Sequence, residues 1–342
     1  LEFQKAFAYH FLQGLIDKAS TGCDMDSSEI DNTKQYTFVS NHRDIVLDSA
    51  FLSKLLIDNG FATTCEIAIG DNLLSLPWVR DLARLNKSFI VKRGLTPREL
   101  MQASIKMAHY MVFALKEKHE NLWIAQREGR AKDSNDLTQK SVLKMFALGA
   151  EGTLLERLQQ FHIVPLSISY EYDPCDYLKA REYQLRRDVP FWKKTAEDDM
   201  ESMLVGIKGY KGHIFYKCAS CIDEWLDTVD GEQPKNKLFD EIATHIDHEI
   251  HCNYRLYPVN YVALDMIQDT RVYEEYYTPE DYQDFENYLE GQIEKIDIEN
   301  RDDKFLRNCL LTQYAYPAKN YIAASSENGR FKSLLNRLTF KK

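Results

Sequence analysis

The residue best suited to acid–base chemistry in this sequence is His42, which directly follows the β-rich run Tyr36–Ser40. Two aspartates, Asp44 and Asp48, come shortly after it. A carboxylate that accepts a hydrogen bond from one imidazole nitrogen fixes the tautomer and raises the basicity of the other nitrogen. A histidine held in this way can deprotonate an alcohol. The structural alternative is that Asn41 caps a helix and Asp44 favours its positive end.

A pair of adjacent cations marks the end of a later apolar run. Lys92 and Arg93 directly follow Ser88–Val91, a segment whose composition predicts a strand. Because neighbouring side chains on a strand point to opposite faces, one of the two cations can face a pocket and hold a phosphate. Without further context, the solvated end of a strand is the simpler interpretation.

A third cluster follows the predicted strand Leu122–Ala125. Residues 126–132 contain two arginines and a lysine, and arginine can grip a phosphate through two parallel hydrogen bonds. Gly129 can adopt a left-handed backbone or let the chain approach a ligand closely. Glu128 would be an internal partner that orients the cations. A surface loop of mixed charge would have the same composition.

The elements that must position these clusters form an alternating pattern of strands and helices. The predicted strands are Tyr36–Ser40, Cys65–Ile69, Ser88–Val91, Leu122–Ala125 and Ile163–Tyr170. Helical patterns run from after His42 to Asp58 and over 77–85, 97–118, 140–148 and 153–161. Alternation of this kind indicates an α/β fold, here a layered mixed sheet flanked by helices. Ligands of open α/β sheets bind beyond the carboxyl ends of strands, which is where the three clusters fall.

The chain is predicted to be a single domain over residues 1–342, because no Pro-, Gly- or Ser-rich linker divides it. An amphipathic helix and a polar, acidic linker occupy residues 1–35, and the catalytic α/β core spans 36–235. Two further runs, His213–Cys218 and Tyr257–Leu264, are predicted as strands that extend the same sheet. The region 236–342 is predicted as a helical C-terminal extension.

The composition limits the class of protein. With 44% apolar and 28% charged residues, the chain resembles an ordinary globular protein. Its formal charge of -10 argues against a general nucleic-acid-binding protein, whose surface would be basic. The seven scattered cysteines favour free thiols over a disulfide framework. No apolar run reaches the roughly 18 residues that a membrane-spanning helix requires.

Two motifs typical of metal or redox sites are interpreted as structural. Cys218 and Cys221 form a CxxC, but no second pair follows at the spacing of a zinc site. His245, His248 and His251 recur every three residues without forming the HExxH pattern. We therefore predict no metal site and no resident cofactor.

Taken in order, four segments resemble the four blocks of the glycerol-3-phosphate and lysophosphatidate acyltransferase superfamily. They are Asn41-His42-Arg43, Phe89-Ile90-Val91-Lys92-Arg93, Glu128-Gly129-Arg130 and Ile163-Val164-Pro165. The resemblance covers roughly residues 36–171, about 40% of the chain. Each block alone is a weak signal, and their order makes the resemblance specific.

Two positions depart from the pattern of that superfamily. Its members usually have an aspartate five residues after the histidine, where this chain has Leu47. Asp48, one residue later, is the preferred partner of the histidine, and Asp44 is the alternative. The third block lacks the usual threonine, because Arg130 directly follows Gly129.

The resemblance implies a mechanism. His42, held by Asp48, would take the proton from an acceptor hydroxyl as that oxygen attacks the thioester of acyl-CoA or of an acyl carrier protein. The acceptor would be glycerol-3-phosphate or its 1-acyl form, in phospholipid biosynthesis, with no acyl-enzyme intermediate. The residues implied to bind the acceptor's phosphate or to shape its pocket are Lys92, Arg93, Glu128, Gly129 and Arg130.

Two basic stretches are candidate binding surfaces for a membrane or for an acidic carrier protein. Residues 329–342 mix cations with Phe and Leu and are expected to lie on an anionic bilayer or to pack on the domain. The stretch Lys179–Lys194 is a second candidate for the bilayer, or a surface for an acidic carrier protein. We expect a cytoplasmic protein held peripherally on the inner face of the cell membrane, with no nucleic-acid partner.

Two rival functions are kept open. A catalytically silent protein with the acyltransferase fold would bind acyl carrier or phospholipid, and the shifted aspartate is the reason to consider it. A thioesterase would release the thiol at the same rate without any acceptor.

Overall fold

The computed structural model describes residues 1–74, 77–92 and 94–327. Within these ranges, seven strands form one sheet. They are β1 Gly22–Asp26, β2 Thr37–Ser40, β3 Cys65–Gly70, β4 Ser88–Val91, β5 Asn121–Ala125, β6 Ile163–Tyr170 and β7 His213–Cys218. Their order across the sheet is β1-β7-β6-β2-β5-β3-β4. All neighbours pair in parallel except β6 and β7, which are antiparallel.

Helices surround this sheet and make up the C-terminal region. The α-helices of the described residues are α1 Tyr9–Ala19, α2 Leu47–Asp58, α3 Pro77–Leu85, α4 Pro97–Lys116, α5 Lys140–Phe146, α6 Leu154–Gln159, α7 Asp176–Asp188, α8 Ala196–Lys208, α9 Asp223–Leu226, α10 Lys235–Cys252, α11 Pro258–Gln268, α12 Pro279–Glu294 and α13 Asp303–Glu327. Shorter helical turns occupy Gln4–Ala8, Asp71–Leu74 and Glu274–Tyr276. The prediction of a layered mixed sheet flanked by helices, with a helical C-terminal region, is confirmed.

The direction of the strands gathers the candidate residues at one edge of the sheet. Because β6, β2, β5, β3 and β4 are linked by parallel pairings, their carboxyl ends meet there, at what we call the carboxyl edge. His42 follows β2, Lys92 follows β4, and Glu128 follows β5. All three clusters found in the sequence therefore lie along the carboxyl edge.

Apolar residues cover both faces of the sheet. Phe38 and Val39 are neighbours on β2, and because side chains alternate along a strand they enter two different buried clusters. Val39 packs in the cluster that contains Phe146, and Phe38 packs in the cluster that contains Tyr216. A third buried cluster joins α11, α12 and α13. Within the described residues, no helix combines the length and apolar character needed to cross a bilayer.

Two expectations about the strands differ from the structure. The acidic segment predicted as a linker contains β1, which pairs with β7 from Gly22↔His213 onwards. The predicted strand Tyr257–Leu264 is wrong, because this segment forms the start of α11. Pro258 occupies the first turn of α11, where its missing N–H costs no hydrogen bond. The side chain of Asn260 accepts a hydrogen bond from the backbone of Tyr257 and closes that helix end.

Candidate active site

The turn that carries His42 is fixed to the middle of the sheet by the preceding residue. The side-chain amide of Asn41 donates to the carbonyl of Ile168, and its oxygen accepts from the N–H of Ile168, both at 2.8 Å. Asn41 is fully buried, so these two bonds replace the hydrogen bonds with water that it loses. They continue the pairing of β2 with β6 one residue beyond the end of β2 and set the position of His42.

His42 is oriented by Asp48. The imidazole Nδ1 lies 2.8 Å from Asp48 Oδ2, and the backbone N–H of Arg43 donates to the same oxygen at 2.7 Å. Asp48 is in the first turn of α2 and fully buried, whereas the side chain of His42 is 13% exposed. With the proton on Nδ1, the ring presents Nε2 as the nitrogen that can accept a proton.

Asp44 has a different task. Its Oδ1 accepts hydrogen bonds from the backbone N–H groups of Val46 and Leu47, at 2.9 and 2.8 Å. The carboxylate thus caps the start of α2, which begins at Leu47 and not directly after His42. Burial raises the pKa of Asp44, and the nearby guanidinium of Arg130 opposes that shift.

This capped turn also explains why the spacing from the histidine is one residue longer than the family pattern. Leu47 opens α2 and is buried in the apolar core. Asp48 is the next residue of the helix, and its side chain lies under the imidazole of His42.

Aromatic side chains enclose His42 and its partner. The ring of Trp123 lies edge-on to the imidazole, with the ring centroids 5.7 Å apart, and its Nε1–H donates to Ser40 Oγ at 3.0 Å. The hydroxyl of Tyr216 donates to the backbone carbonyl of Asp48 at 3.0 Å. These contacts limit the access of water to the histidine–aspartate pair. Neither Trp123 nor Tyr216 could be found from the sequence, because both are far from His42 along the chain.

Arg43, inside the first block, is a buried structural cation. Its Nη2 lies 3.4 Å from Asp136 Oδ2 and 3.4 Å from the hydroxyl of Tyr254. Arg43 therefore links the turn after β2 to the segment after β5 and to the C-terminal helices. Sequence reasoning did not assign it this role.

The third block divides into an exposed and a buried part. Glu128 and Gly129 are exposed, and Gly129 has a left-handed backbone with a φ of 67°, which favours glycine. The backbone N–H of Glu128 donates to Gln139 Oε1 at 2.9 Å. Arg130 is buried, and its charge acts on Asp44 and Asp173. The loop 128–130 thus runs from the exposed carboxyl edge to a buried site near Asp44 and Asp173.

Arg130 has unused hydrogen-bonding capacity. Within the described residues, its buried Nη1 makes no hydrogen bond, which is uncommon for a charged group. The guanidinium lines a small cavity together with Lys132, Lys179 and Trp192. Lys132 lies 2.7 Å from Glu182, and burial lowers the pKa of Lys132 to about 8, with the charge of Arg130 adding to the effect.

The second block lies farther away. Lys92 is exposed at the end of β4, where its charge acts on Glu99. Two strands separate β4 from β2, so at about 4.8 Å per strand the backbones are roughly 14 Å apart. The structure therefore brings His42 and Asp48 into contact and places the third block on the neighbouring strand, but leaves Lys92 at the margin of the sheet. Arg93 lies outside the described residues.

The fourth block is part of the scaffold. Ile163, Val164 and Pro165 belong to β6, which is buried along its whole length and pairs with β2. Through Ile168, the same strand holds Asn41. Its contribution to the site is to position the histidine turn.

The basic stretch Lys179–Lys194 is largely neutralised by neighbouring acids. The ion pairs of its cations are Lys179 with Asp173, Arg181 with Glu201, Arg186 with Glu182, Arg187 with Asp302 and Lys194 with Asp199. Phe191, between them, is 97% exposed. The other predicted basic surface, residues 329–342, lies outside the described residues.

The two metal-like motifs have local packing partners. Cys218 is buried in the core, and His245 stacks on Trp225 with the ring centroids 3.7 Å apart. Burial lowers the pKa values of His245 and His251 to about 4, so both are neutral at pH 7.

A different group, His162, Cys221 and Asp223, has potential ligand atoms within 4.8 Å of one another. His162 Nδ1 already lies 2.6 Å from Asp223 Oδ2, so this pair is satisfied as a hydrogen bond. His162 directly precedes β6 and is therefore at the sheet edge opposite the carboxyl edge.

Comparison with known families agrees with the site. The sequence model of the family described as Acyltransferase matches residues 25–169, which include all four blocks. This match confirms the resemblance drawn from the four blocks. The matched segment indicates an enzyme of the acyltransferase class.

Among solved structures, the chain is similar to the 1-acyl-sn-glycerophosphate (LPA) acyltransferase PlsC from Thermotoga maritima. The two share 16% sequence identity, the alignment covers 71% of this chain and 76% of that chain, and the TM-score is 0.40. A search of curated proteins gave no match.

Proposed function

We propose that this acyltransferase moves a fatty acyl group from a thioester donor to the hydroxyl of glycerol-3-phosphate or 1-acylglycerol-3-phosphate. The observation that carries the proposal is the 2.8 Å contact between His42 Nδ1 and Asp48 Oδ2, in a turn at the carboxyl edge of the sheet. A histidine oriented by a buried carboxylate is the general base that attack by an alcohol requires.

The proposed reaction proceeds without an acyl-enzyme. His42 Nε2 takes the proton of the acceptor hydroxyl while that oxygen attacks the thioester carbonyl. The tetrahedral intermediate then collapses, the carbon–sulfur bond breaks, and the imidazolium returns its proton to the leaving thiolate. Asp48 stabilises the imidazolium between the two steps. General base catalysis of this kind contributes roughly 10² to 10⁴-fold in rate.

The third block is the proposed site for the acceptor's phosphate. Gly129 allows close approach of the backbone, Glu128 shapes the loop, and Arg130 offers a guanidinium nitrogen without a protein partner among the described residues. Arginine holds phosphate strongly because its N–H groups match the phosphate oxygens. We propose Lys92 and Arg93 as further phosphate contacts from the neighbouring margin of the sheet.

The remaining partners follow from the chemistry. The donor is proposed to be acyl-CoA or an acyl carrier protein, and neither a metal nor a resident cofactor is required for base-catalysed acyl transfer. Because the monoacyl acceptor resides in lipid, we propose a cytoplasmic enzyme that associates peripherally with the inner face of the cell membrane, in phospholipid biosynthesis. No nucleic-acid partner is proposed.

The contact between His42 and Asp48 favours the enzyme over the catalytically silent alternative. That alternative was suggested by the shifted aspartate, and Asp48 contacts His42 in spite of the longer spacing.

The deciding experiment is thiol release from acyl-CoA and acyl carrier protein with glycerol-3-phosphate, with 1-acylglycerol-3-phosphate and without acceptor. We expect turnover that requires an acceptor and is lost in His42→Ala. The matched control is His162→Ala, which removes another carboxylate-paired histidine, at the opposite edge of the sheet. Unchanged turnover in His42→Ala would refute the mechanism, and equal thiol release without acceptor would identify a thioesterase.

A further inference from the structure

The outer margin of the sheet exposes apolar side chains. In the described residues, β4 is the last strand on its side of the sheet. Ile90 lies on β4, Leu85 ends the helix before it, and Leu100 and Met101 are near the start of the helix after it. These four side chains are 44% to 53% exposed. Isolated apolar residues are common on protein surfaces, but a group of four at one open sheet margin is typical of a binding surface.

These side chains border the margin from both faces of the sheet. Phe89 packs against Tyr110 of α4, with the ring centroids 5.5 Å apart, so Ile90 points to the face opposite α4. The chain runs outward from β3 through α3 to β4 and then back through α4 to β5. Because both crossovers are expected to be right-handed, α3 and α4 lie on opposite faces of the sheet. We call the four apolar residues, together with the exposed cations Arg84, Lys92, Arg98 and Lys106, the margin surface.

The charge of this region is opposite to that of the chain as a whole. Residues 80–106 contain seven cations and two carboxylates, whereas the whole chain carries a formal charge of -10. Arg84, Lys92, Arg98 and Lys106 are exposed. The margin surface therefore combines half-exposed apolar side chains with a local excess of positive charge.

We propose that the margin surface docks the protein on an anionic phospholipid bilayer. This inference rests on the proposed function, since it supplies the route by which a lipid acceptor reaches the site. Apolar side chains enter the boundary between headgroups and acyl chains, and cations beside them attract anionic headgroups. Because β4 ends at the carboxyl edge, a bilayer docked along β4 meets one corner of that edge, two strands away from β2.

Binding to vesicles tests the proposal without turnover. Co-sedimentation is measured with phosphatidylcholine vesicles that contain or lack phosphatidylglycerol, at low and high salt and without donor or acceptor. We expect binding that requires phosphatidylglycerol and weakens with salt, because salt screens exposed charges. The double variants Arg98→Glu/Leu100→Glu on α4 and Arg84→Glu/Leu85→Glu on α3 should each lower the affinity at least tenfold.

The control makes the same change of charge and apolarity elsewhere. Leu204→Glu/Lys208→Glu alters two exposed residues of α8 and should bind as the wild type does. Equal loss of binding in this control, or wild-type binding by both margin variants, would overturn the proposal. His42→Ala should still bind vesicles, and the margin variants should keep turnover on water-soluble glycerol-3-phosphate, so failure of docking and failure of catalysis are distinguishable.

Discussion

Asp48 Oδ2 accepts two hydrogen bonds, one from the imidazole of His42 at 2.8 Å and one from the backbone N–H of Arg43 at 2.7 Å. The second bond fixes the carboxylate before any substrate arrives. Because the same oxygen also holds the ring, the direction of Nε2 is set by backbone geometry and not by a mobile side chain. The pair is therefore preorganised for proton transfer.

Replacement of this carboxylate should damage catalysis more than stability. Asp48→Asn keeps the shape of the side chain but cannot stabilise the imidazolium, so kcat should fall by about 10² to 10⁴-fold. Steady-state kinetics at a fixed pH measures the effect. Asp44→Asn is the control, because this residue caps α2 and does not contact His42. If Asp44→Asn lost as much kcat as Asp48→Asn, the assignment of the orienting residue would be wrong.

A change at the third block should act on the acceptor. Arg130→Lys keeps the charge but removes the forked guanidinium. The lost charge-assisted hydrogen bonds are worth about 1.5–3 kcal/mol. The KM for glycerol-3-phosphate should therefore rise by roughly 10 to 100-fold. The KM for the acyl donor should stay within about twofold, since the proposal gives Arg130 no part in donor binding.

Arg127→Lys makes the same exchange three residues earlier, at a side chain that is only partly buried. It should leave the acceptor KM close to the wild-type value. An acceptor KM unchanged in Arg130→Lys would remove this residue from the phosphate site.

The two hydrogen bonds between the Asn41 side chain and the backbone of Ile168 should stabilise the fold around the site. Asn41→Ala removes two buried hydrogen bonds and leaves a backbone N–H and a carbonyl of Ile168 unsatisfied, at about 1–3 kcal/mol for each group. Urea unfolding should show a loss of roughly 2–5 kcal/mol in the free energy of unfolding, together with a lower kcat. A variant as stable as the wild type would mean that water replaces the amide.

A buried carboxyl at the start of α7, in contact with the C-terminal helices, should make stability depend on pH. Asp176 accepts hydrogen bonds from the hydroxyls of Tyr288 and Tyr314, both at 2.7 Å, and burial raises its pKa to about 7. The folded state therefore holds this proton more tightly than the unfolded state does. The stabilisation is present below the unfolded pKa near 4 and is lost as pH rises towards 7, by at most about 1.4 kcal/mol per pH unit.

Asp176→Asn removes the titrating group and should flatten that part of the pH dependence. Chemical unfolding at several pH values between 4 and 8 measures the free energy of unfolding of both proteins. The difference between the variant and the wild type should grow in favour of the variant as the pH rises. Parallel curves over this range would show that Asp176 does not titrate there.

The sequence predicted most of the sheet because its strands are short apolar runs followed by chemically distinctive turns. His42, Lys92 and Glu128 could be placed at one edge of the sheet from the sequence alone, since parallel strands bring their carboxyl ends together. Tyr257–Leu264 was predicted wrongly because a short apolar run fits a strand or a helix equally well. The partners of His42 beyond Asp48 could not be predicted, because Trp123 and Tyr216 reach the site only through long-range packing.

The distance between Lys92 and His42 also depends on the order of the strands in the sheet. Spacing along the chain gives no distance across the sheet, and the two strands between β2 and β4 separate positions that seemed equivalent in sequence. Asn41 and Arg43 were visible as members of the first block. The hydrogen bonds of Asn41 to Ile168 and the ion pair of Arg43 with Asp136 could not be predicted, because they depend on segments about 100 residues away.

The pairing of β1 with β7 has a consequence for anyone who shortens this protein. A version that starts after Asp26 would strip the outer strand from β7 and leave a row of backbone N–H and C=O groups open to solvent. Such a bare strand is a template for a second copy of the chain. Removal of residues 1–26 should therefore promote self-association of the chain, even with His42 and Asp48 unchanged.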